Sequence, residues 1–348
     1  METPSTQEPT WPEILGSKNW ENLLDPLDLT VRKLILRCGD FCQATYDSFN
    51  NDENSKYCGT SRYGKKDFFQ KVMLEDAANY QVCSFIYGTA RVSLPEAILL
   101  HSMTRDSWDR ESNWIGYIAV TSDEYTKVIG RREIYIAFRG TTRNYEWVNI
   151  LGAKLESAEP LLRGSSQNVE EANSGSDSDN EDNRKVPKVM LGHSLGATLS
   201  ILAAFDLVEN GITDIPVAAL SLAAHKLETK PSIPGLARRL LGYRYTGTEL
   251  EIDTRKSPNL KDSKHTGDWH NLQAMLHIVA GWNGEKGEFM LRVKRSLALV
   301  NKSCEFLKDE CMVPGSWWIE KNKGMVRGED GEWTMASPDE EDQPVPEF

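Results

Sequence analysis

The sequence predicts an α/β fold, and three observations carry that prediction. Two apolar runs of strand length, Trp114–Thr121 (WIGYIAVT) and Ile134–Phe138 (IYIAF), read as strands at the core of a sheet, with a turn at Gly130-Arg131-Arg132 between them. From Leu29 to Phe49, the residues Val31, Leu34, Ile35, Cys38, Phe41, Cys42 and Phe49 recur at helical spacing, the pattern of an amphipathic helix packed on a sheet. The third observation is an order of elements. An apolar run of strand length, Val186–Leu191, leads into a serine bounded by glycines, Gly192-His193-Ser194-Leu195-Gly196, and a helical run from Ala197 to Glu209 follows, closed by Asn210-Gly211. At 348 residues, 39% hydrophobic and 26% charged, the chain holds enough apolar material for a large packed domain.

Taken in order, residues 1–26 are polar and rich in Pro and Trp, and read as an arm laid across the surface. A single domain is expected over 27–336. Asn50–Lys65 is rich in turn formers, and Tyr80–Tyr87 is the next strand. Residues 164–185 form an acidic low-complexity insert of Ser, Gly, Asn, Glu and Asp, which reads as a solvated loop. The insert lacks the fixed oxygen spacing and the glycine of an EF-hand calcium loop. Beyond the serine turn, Pro216–Ala224 (PVAALSLAA) has strand length and His225–Arg239 is basic and broken by prolines. Glu249–Asp253 is read as a strand, His270–Ala280 as a helix, and Leu291–Lys308 as a longer helix with Val293, Ala298, Leu299 and Phe306 turned inward. Trp317-Trp318 opens a last strand-like piece, and residues 337–348 are an acidic tail.

A formal net charge of −12 argues against nucleic acid as a partner and against strong attraction to an anionic membrane surface. Contact with lipid must then be apolar, local and transient. The six cysteines, Cys38, Cys42, Cys58, Cys83, Cys304 and Cys311, are scattered, without a C-x-x-C pair or a His/Cys cluster at zinc spacing. They read as free thiols of a reducing compartment, and no metal or other cofactor is expected. Met1–Lys18 carries Glu2, Glu8 and Glu13 and no apolar core, unlike a secretory signal or a transit peptide. No run of 18 apolar residues occurs, so no transmembrane segment is expected. The expectation is a cytoplasmic protein in which the sequon Asn301-Lys302-Ser303 goes unused.

The glycine-bounded serine fits G-x-S-x-G, a turn that holds a serine hydroxyl at the tip of a strained strand-to-helix reversal. A serine hydroxyl is a poor nucleophile at neutral pH and needs a base within reach, usually a histidine oriented by a carboxylate. In proteins that carry this turn the acid and the histidine follow the serine in the chain. That order sets aside His193, inside the turn, and His101, before it; His225, His265, His270 and His277 remain. His270 is the candidate base, because it stands at a loop-to-helix junction after Gly267-Asp268-Trp269. His277 lies two turns into the helix, where a core or surface position suits it better than catalysis. Attack on a carbonyl also creates an oxyanion that needs preorganised donors, and the amide of Leu195, next after the serine, is the first candidate. Arg139-Gly140-Thr141, following the firmest strand, can present the second, although a plain turn fits those residues equally.

Several blocks carry a family resemblance: AFRGT (Ala137–Thr141), EWVN (Glu146–Asn149), GHSLGA (Gly192–Ala197), LEIDTRKSP (Leu250–Pro258), WHNLQAMLH (Trp269–His277), LALVNKS (Leu297–Ser303) and VPGSWW (Val313–Trp318). With SKYCGTSRYGKKDFF (Ser55–Phe69), they make the chain resemble the plant class II phospholipase A1 enzymes, acylhydrolases of the class 3 lipase type with an α/β-hydrolase fold. The resemblance covers most of the chain except two gaps. It implies Ser194 as nucleophile, His270 as base, Thr141 in the oxyanion hole, and metal-free hydrolysis of the sn-1 acyl ester of glycerolipids or phospholipids.

Two stretches depart from the pattern. Family members carry a strand, a helix and the strand entering the serine turn, whereas here the acidic insert leads through Lys185–Met190 almost directly into Gly192, which implies a truncated central sheet. After Leu220–Ala224 the family has a further strand bearing the catalytic aspartate; here His225–Pro234 stands in its place. No Asp lies between Asp214 and Asp253, and Glu228 is the sole carboxylate of the replaced stretch. Glu228 is therefore the candidate substitute acid, yet its neighbours Lys226 and Lys230 also suit a solvated charge cluster. The missing acid motivates an alternative to the enzyme: a lipid-binding or interaction protein that keeps the hydrolase shell with impaired catalysis. Trp147, Trp317 and Trp318 are candidates for apolar lipid contact, weighed against a core position for each.

Overall fold

The computed structural model describes residues 8–52, 54–89, 112–140, 186–210, 216–222, 247–263, 266–318 and 325–335. Thr141, Trp147, the insert at 164–185, Glu228 and the tail at 337–348 lie outside the described residues. The chain divides into two compact units, one of Met1–Asn19, Arg37–Ala224 and Ile233–Gly247, the other of Trp20–Leu36, His225–Ser232 and Thr248–Phe348.

The first unit is built on a five-stranded sheet in the order β1 (Tyr80–Thr89), β2 (Ser112–Thr121), β3 (Ile134–Phe138), β4 (Lys188–His193) and β5 (Val217–Leu222). β1, β2 and β3 pair antiparallel; β3, β4 and β5 pair parallel. Among the described residues, helices stand between β2 and β3, at Asp123–Ile129, and between β4 and β5, at Leu195–Glu209, and this mixed sheet with helices is an α/β architecture. Val189, Met190 and Leu191 on β4 are fully buried, as expected of a parallel strand covered on both faces. The register sets Phe138 opposite Gly192 and His193 opposite Leu222, so the carboxyl ends of the three parallel strands lie level with one another. Ligand sites of open α/β sheets form at that edge.

The helix expected near Leu29–Phe49 runs over Leu29–Ser48, with Arg37–Ser48 belonging to the first unit. Its apolar positions Cys38, Phe41 and Cys42 are fully buried. The Phe41 ring meets Tyr135 at 4.8 Å, Tyr80 at 4.9 Å and Phe69 at 5.6 Å between centroids. The Tyr117 hydroxyl donates to the Phe41 carbonyl at 2.8 Å, which satisfies a polar group deep in the core. Between β2 and β3 a helix intervenes at Asp123–Ile129, where only a turn was expected; Ser122 caps it by accepting the Tyr125 amide, and Gly130, at φ 70°, ends it. Glu133 is buried without exposure, accepting from the Tyr135 hydroxyl at 2.6 Å and pairing with Arg131 at 2.7 Å and Arg37 at 3.7 Å.

The second unit centres on the helix Leu272–Gly281, whose residues are all buried. Arg32 satisfies the end of that helix: its guanidinium donates to the carbonyls of Val279, of Trp282 at 2.6 Å and of Leu27 at 3.3 Å. Three expectations fail in this unit. Leu291–Lys308 is not a long helix but an irregular path with one 3-10 turn at Leu297–Asn301. The backbone amides of Met290 and Arg292 are drawn to the carbonyls of Gly281 and Ala280, and Asn301 Oδ1 accepts the amides of Phe306 and Leu307, which bends the chain out of helix. The same bonding buries Asn301, the sequon residue. Glu249–Asp253 forms no strand; Glu249 and Glu251 are exposed, and Asp253 caps a 3-10 turn at Thr254–Lys256. Trp317-Trp318 lies in a turn, and the strands come later, as the hairpin β6 (Met325–Arg327) and β7 (Trp333–Met335). Trp317 is fully buried with Ala298, Met325 and Trp333, its indole N–H donating to the Ala298 carbonyl at 2.8 Å, so it is core and not a lipid contact.

Candidate active site

The serine turn forms where β4 ends. Leu195 is the first residue of the helix Leu195–Glu209, which starts two residues earlier than the sequence pattern suggested. Ser194 stands between strand and helix at φ 59° and ψ −125°. For a residue with a β-carbon that is a sparsely populated conformation, costing on the order of 1–3 kcal/mol and held only by its surroundings. Those surroundings are visible. The Ser194 amide donates to the Leu222 carbonyl at the end of β5, 3.3 Å away, and the Ser194 carbonyl accepts the Ala197 amide at 3.0 Å.

The flanking glycines are there because backbone fills the space beside them. A β-carbon on Gly196 would lie 2.4 Å from the Phe138 carbonyl oxygen, so the helix enters against the end of β3. Gly140, two residues beyond β3, closes the other side: the point where its β-carbon would sit is 2.6 Å from the His193 carbonyl oxygen and 3.0 Å from Ser194 Cβ. The structure thus brings together the serine, the Leu195 amide and the glycine that precedes Thr141. Arg139, nearly buried, steers this segment: its Nε donates to the Trp114 carbonyl and an Nη to the Gly140 carbonyl, each at 2.9 Å, with the guanidinium 4.0 Å over the Phe49 ring. The first amides of a helix lack intrahelical partners and carry partial positive charge, which suits an anion at this end of Leu195–Glu209.

His193 is buried, and its Nδ1 lies 2.7 Å from the Tyr46 hydroxyl. Tyr46 escaped the sequence reading. It falls four residues after Cys42, next to the buried stripe of its helix, and that spacing is the signal that marks it as inward-facing.

In the second unit, His270 follows a turn of helix at Thr266–Trp269 and precedes Asn271, the cap of Leu272–Gly281. Burial lowers its pKa below the usual histidine range, which favours the neutral imidazole. Its neighbour is held on both sides: Asn271 Oδ1 accepts the Ala274 amide at 3.1 Å, and Nδ2 points at Cys304 Sγ. His277 is a core histidine. Its Nε2 is 2.8 Å from Ser257 Oγ, its ring lies 4.9 Å from that of Phe289, and burial, aided by Arg295, takes its pKa down to about 4.

Comparison with known proteins fits this geometry. The family model Lipase (class 3) matches residues 135–227, an interval that begins in β3 and contains the serine turn. Phospholipase A1-IIdelta of Arabidopsis thaliana is 54% identical over 413 aligned positions, covering 99% of this chain and 100% of the relative. Phospholipase A1-II 5 of Oryza sativa subsp. japonica is 42% identical, covering 97% of this chain and 84% of the relative. Phospholipase A1-IIbeta of Arabidopsis thaliana is 37% identical over 93% of this chain and 92% of its own length. The first alignment, at 413 positions, exceeds the 348 residues of the chain by 65, so at least that many positions are gaps here, in keeping with two shortened stretches. With its serine turn at the carboxyl edge of a mixed sheet and near-full-length similarity of this order, the chain belongs to the plant class II phospholipase A1 group of the class 3 lipase family, hydrolases of the α/β-hydrolase fold.

Proposed function

We propose that the chain hydrolyses the sn-1 acyl ester of a glycerolipid or phospholipid through an acyl-enzyme on Ser194. The observation that carries the reading is the backbone of Ser194, φ 59° and ψ −125°, at a turn between β4 and a helix N-terminus. Strain of this kind, maintained by two glycines and a hydrogen bond to β5, lifts a hydroxyl clear of the sheet edge beside preorganised donors.

In this reading Ser194 Oγ attacks the acyl carbonyl carbon and His270 takes the hydroxyl proton. The assignment of His270 rests on chain order and on the family pattern WHNLQAMLH. Negative charge gathers on the carbonyl oxygen, where the Leu195 amide and Thr141 donate to it. The bond between the acyl carbon and the sn-1 oxygen breaks, His270 gives its proton to the departing glycerol oxygen, and the acyl group stays on Ser194. Water then attacks the acyl-enzyme, giving a proton to His270, and the second tetrahedral intermediate collapses to release the fatty acid as His270 returns that proton to Ser194 Oγ. Glu228 is the candidate for orienting His270, as the sole carboxylate of the stretch that replaces the family's acid. A Glu228→Gln loss of about a hundredfold or more supports that role, and a change within about twofold removes it.

A transient apolar contact with the lipid surface completes the reading, since no described helix is long and apolar enough to cross a membrane. A cytoplasmic location fits the six free cysteines. Labelling with a serine-directed fluorophosphonate, followed by peptide mapping, tests the nucleophile: the adduct is expected on Ser194 and absent from Ser194→Ala. Equal labelling of that variant would refute the assignment.

A further inference from the structure

We propose that Tyr46 is a positioning residue for the oxyanion site, holding the serine turn and the end of the β3 segment in a fixed relation. The proposal deepens the reading above, and rests on Ser194 as nucleophile with Leu195 and Thr141 as oxyanion donors.

The two halves of that oxyanion site come from different strands. Leu195 follows β4, and Gly140-Thr141 follows β3; a donor pair works only if these segments keep their spacing to within about 0.5 Å. Tyr46, in the last turn of the helix Leu29–Ser48, touches both. On the β4 side its hydroxyl is 2.7 Å from His193 Nδ1 and 3.5 Å from the His193 carbonyl oxygen, and the two rings meet edge to face at 5.7 Å. On the β3 side, the point where a β-carbon on Gly140 would sit is 2.0 Å from the same hydroxyl oxygen. That point is also 3.0 Å from Ser194 Cβ, so phenol, glycine and nucleophile converge on one spot.

The mechanical consequence follows from the peptide between His193 and Ser194. Its N–H is fixed by the Leu222 carbonyl of β5, and its carbonyl lies beside Gly140 and the phenol. The hydrogen bond between the Tyr46 hydroxyl and His193 Nδ1 stops the preceding side chain from swinging, and the phenol oxygen blocks Gly140 from closing on the serine turn. Removing the hydroxyl frees both movements while leaving the ring in place. A loss of placement weakens donors that act fully only when charge has built up on the carbonyl oxygen, so kcat is affected and KM is not. Complete loss of one oxyanion donor costs on the order of 10²- to 10³-fold in kcat, so looser placement through Tyr46→Phe is expected to cost about 10- to 50-fold.

The experiment uses the full chain as wild type, Tyr46→Phe, His193→Leu, the double variant and Ser194→Ala, with active sites titrated by a fluorophosphonate so that rates refer to labelled protein. A soluble acyl ester gives kcat and KM. The expected result is a 10- to 50-fold lower kcat per labelled site for Tyr46→Phe, KM within twofold, and a double variant whose loss falls well short of the product of the two single losses. Should His193→Leu fail to fold, the split between kcat and KM in Tyr46→Phe decides by itself. Wild-type labelling at Ser194 with Tyr46→Phe kinetics per site within twofold overturns this proposal alone. Losses in the double variant that multiply, as for independent residues, also overturn it, and labelling that persists in Ser194→Ala overturns the nucleophile reading together with it.

Discussion

Gly192 and Gly196 face each other across the serine turn with no room for a side chain between them: a β-carbon on Gly192 would lie 1.9 Å from the Gly196 carbonyl oxygen and 2.5 Å from the Ala197 nitrogen. Both obstacles are backbone, so nothing yields short of displacing the helix. Gly192→Ala is expected to destabilise the fold by about 3 kcal/mol or more and to abolish serine labelling. Gly130→Ala is the contrast, since nothing lies within 4 Å of its added methyl and only φ 70° opposes it; about 1 kcal/mol is expected. Urea unfolding of the two variants checks the pair, and a Gly192→Ala protein as stable as the parent would show that the turn is not packed as described.

Glu133 supplies a second prediction. Its carboxylate is enclosed by Arg131, Arg37 and the Tyr135 hydroxyl. Glu133→Ala leaves two guanidinium groups and a buried hydroxyl without their acceptor, and is expected to cost about 3 kcal/mol. Asp123→Ala, which removes a surface pair with Arg132, is expected to cost less than about 1 kcal/mol. Comparable unfolding midpoints for the two variants would contradict the buried cluster.

Much of this architecture was legible in the sequence because periodicity reports burial directly. The stripe Val31, Ile35, Cys38, Phe41, Cys42 and Phe49 is buried as its spacing implies, and the apolar runs at 114–121, 134–138 and 186–191 all contribute strands. Elements fixed by tertiary hydrogen bonds were not legible. Nothing in Leu291–Lys308 announces that its amides bond to the end of another helix, or that Asn301 gathers two later amides and bends the chain. At the site, the glycines betray the serine turn, since only close backbone contact demands them. For Tyr46 the helical spacing marks only an inward-facing ring: its hydroxyl meets His193 across 147 positions of sequence, a partnership that only the fold creates.

The pH dependence of stability gives a third prediction. Burial holds His277 neutral, with a folded-state pKa of about 4 against an ordinary value of 6.5. Between those values the unfolded chain binds a proton that the folded chain does not, so unfolding becomes more favourable as pH falls. Stability is fully present above pH ~6.5, falls through the window down to pH ~4, and levels off below it, with a total of about 3 kcal/mol from this residue. His277→Gln, which cannot titrate, is expected to flatten that part of the stability curve. An unchanged slope between pH 4 and 6.5 would remove His277 as its source.

The central claim is that Ser194 is the nucleophile of an sn-1 acyl hydrolase, and the direct measurement is fatty-acid release from phospholipid vesicles whose sn-1 and sn-2 chains differ in mass. Wild-type protein is predicted to release the sn-1 chain and leave the 2-acyl lysophospholipid, and Ser194→Ala to lower that release by about 10⁴-fold or more while folding as the parent does. Release of the sn-2 chain first, or undiminished release by Ser194→Ala, would contradict the account.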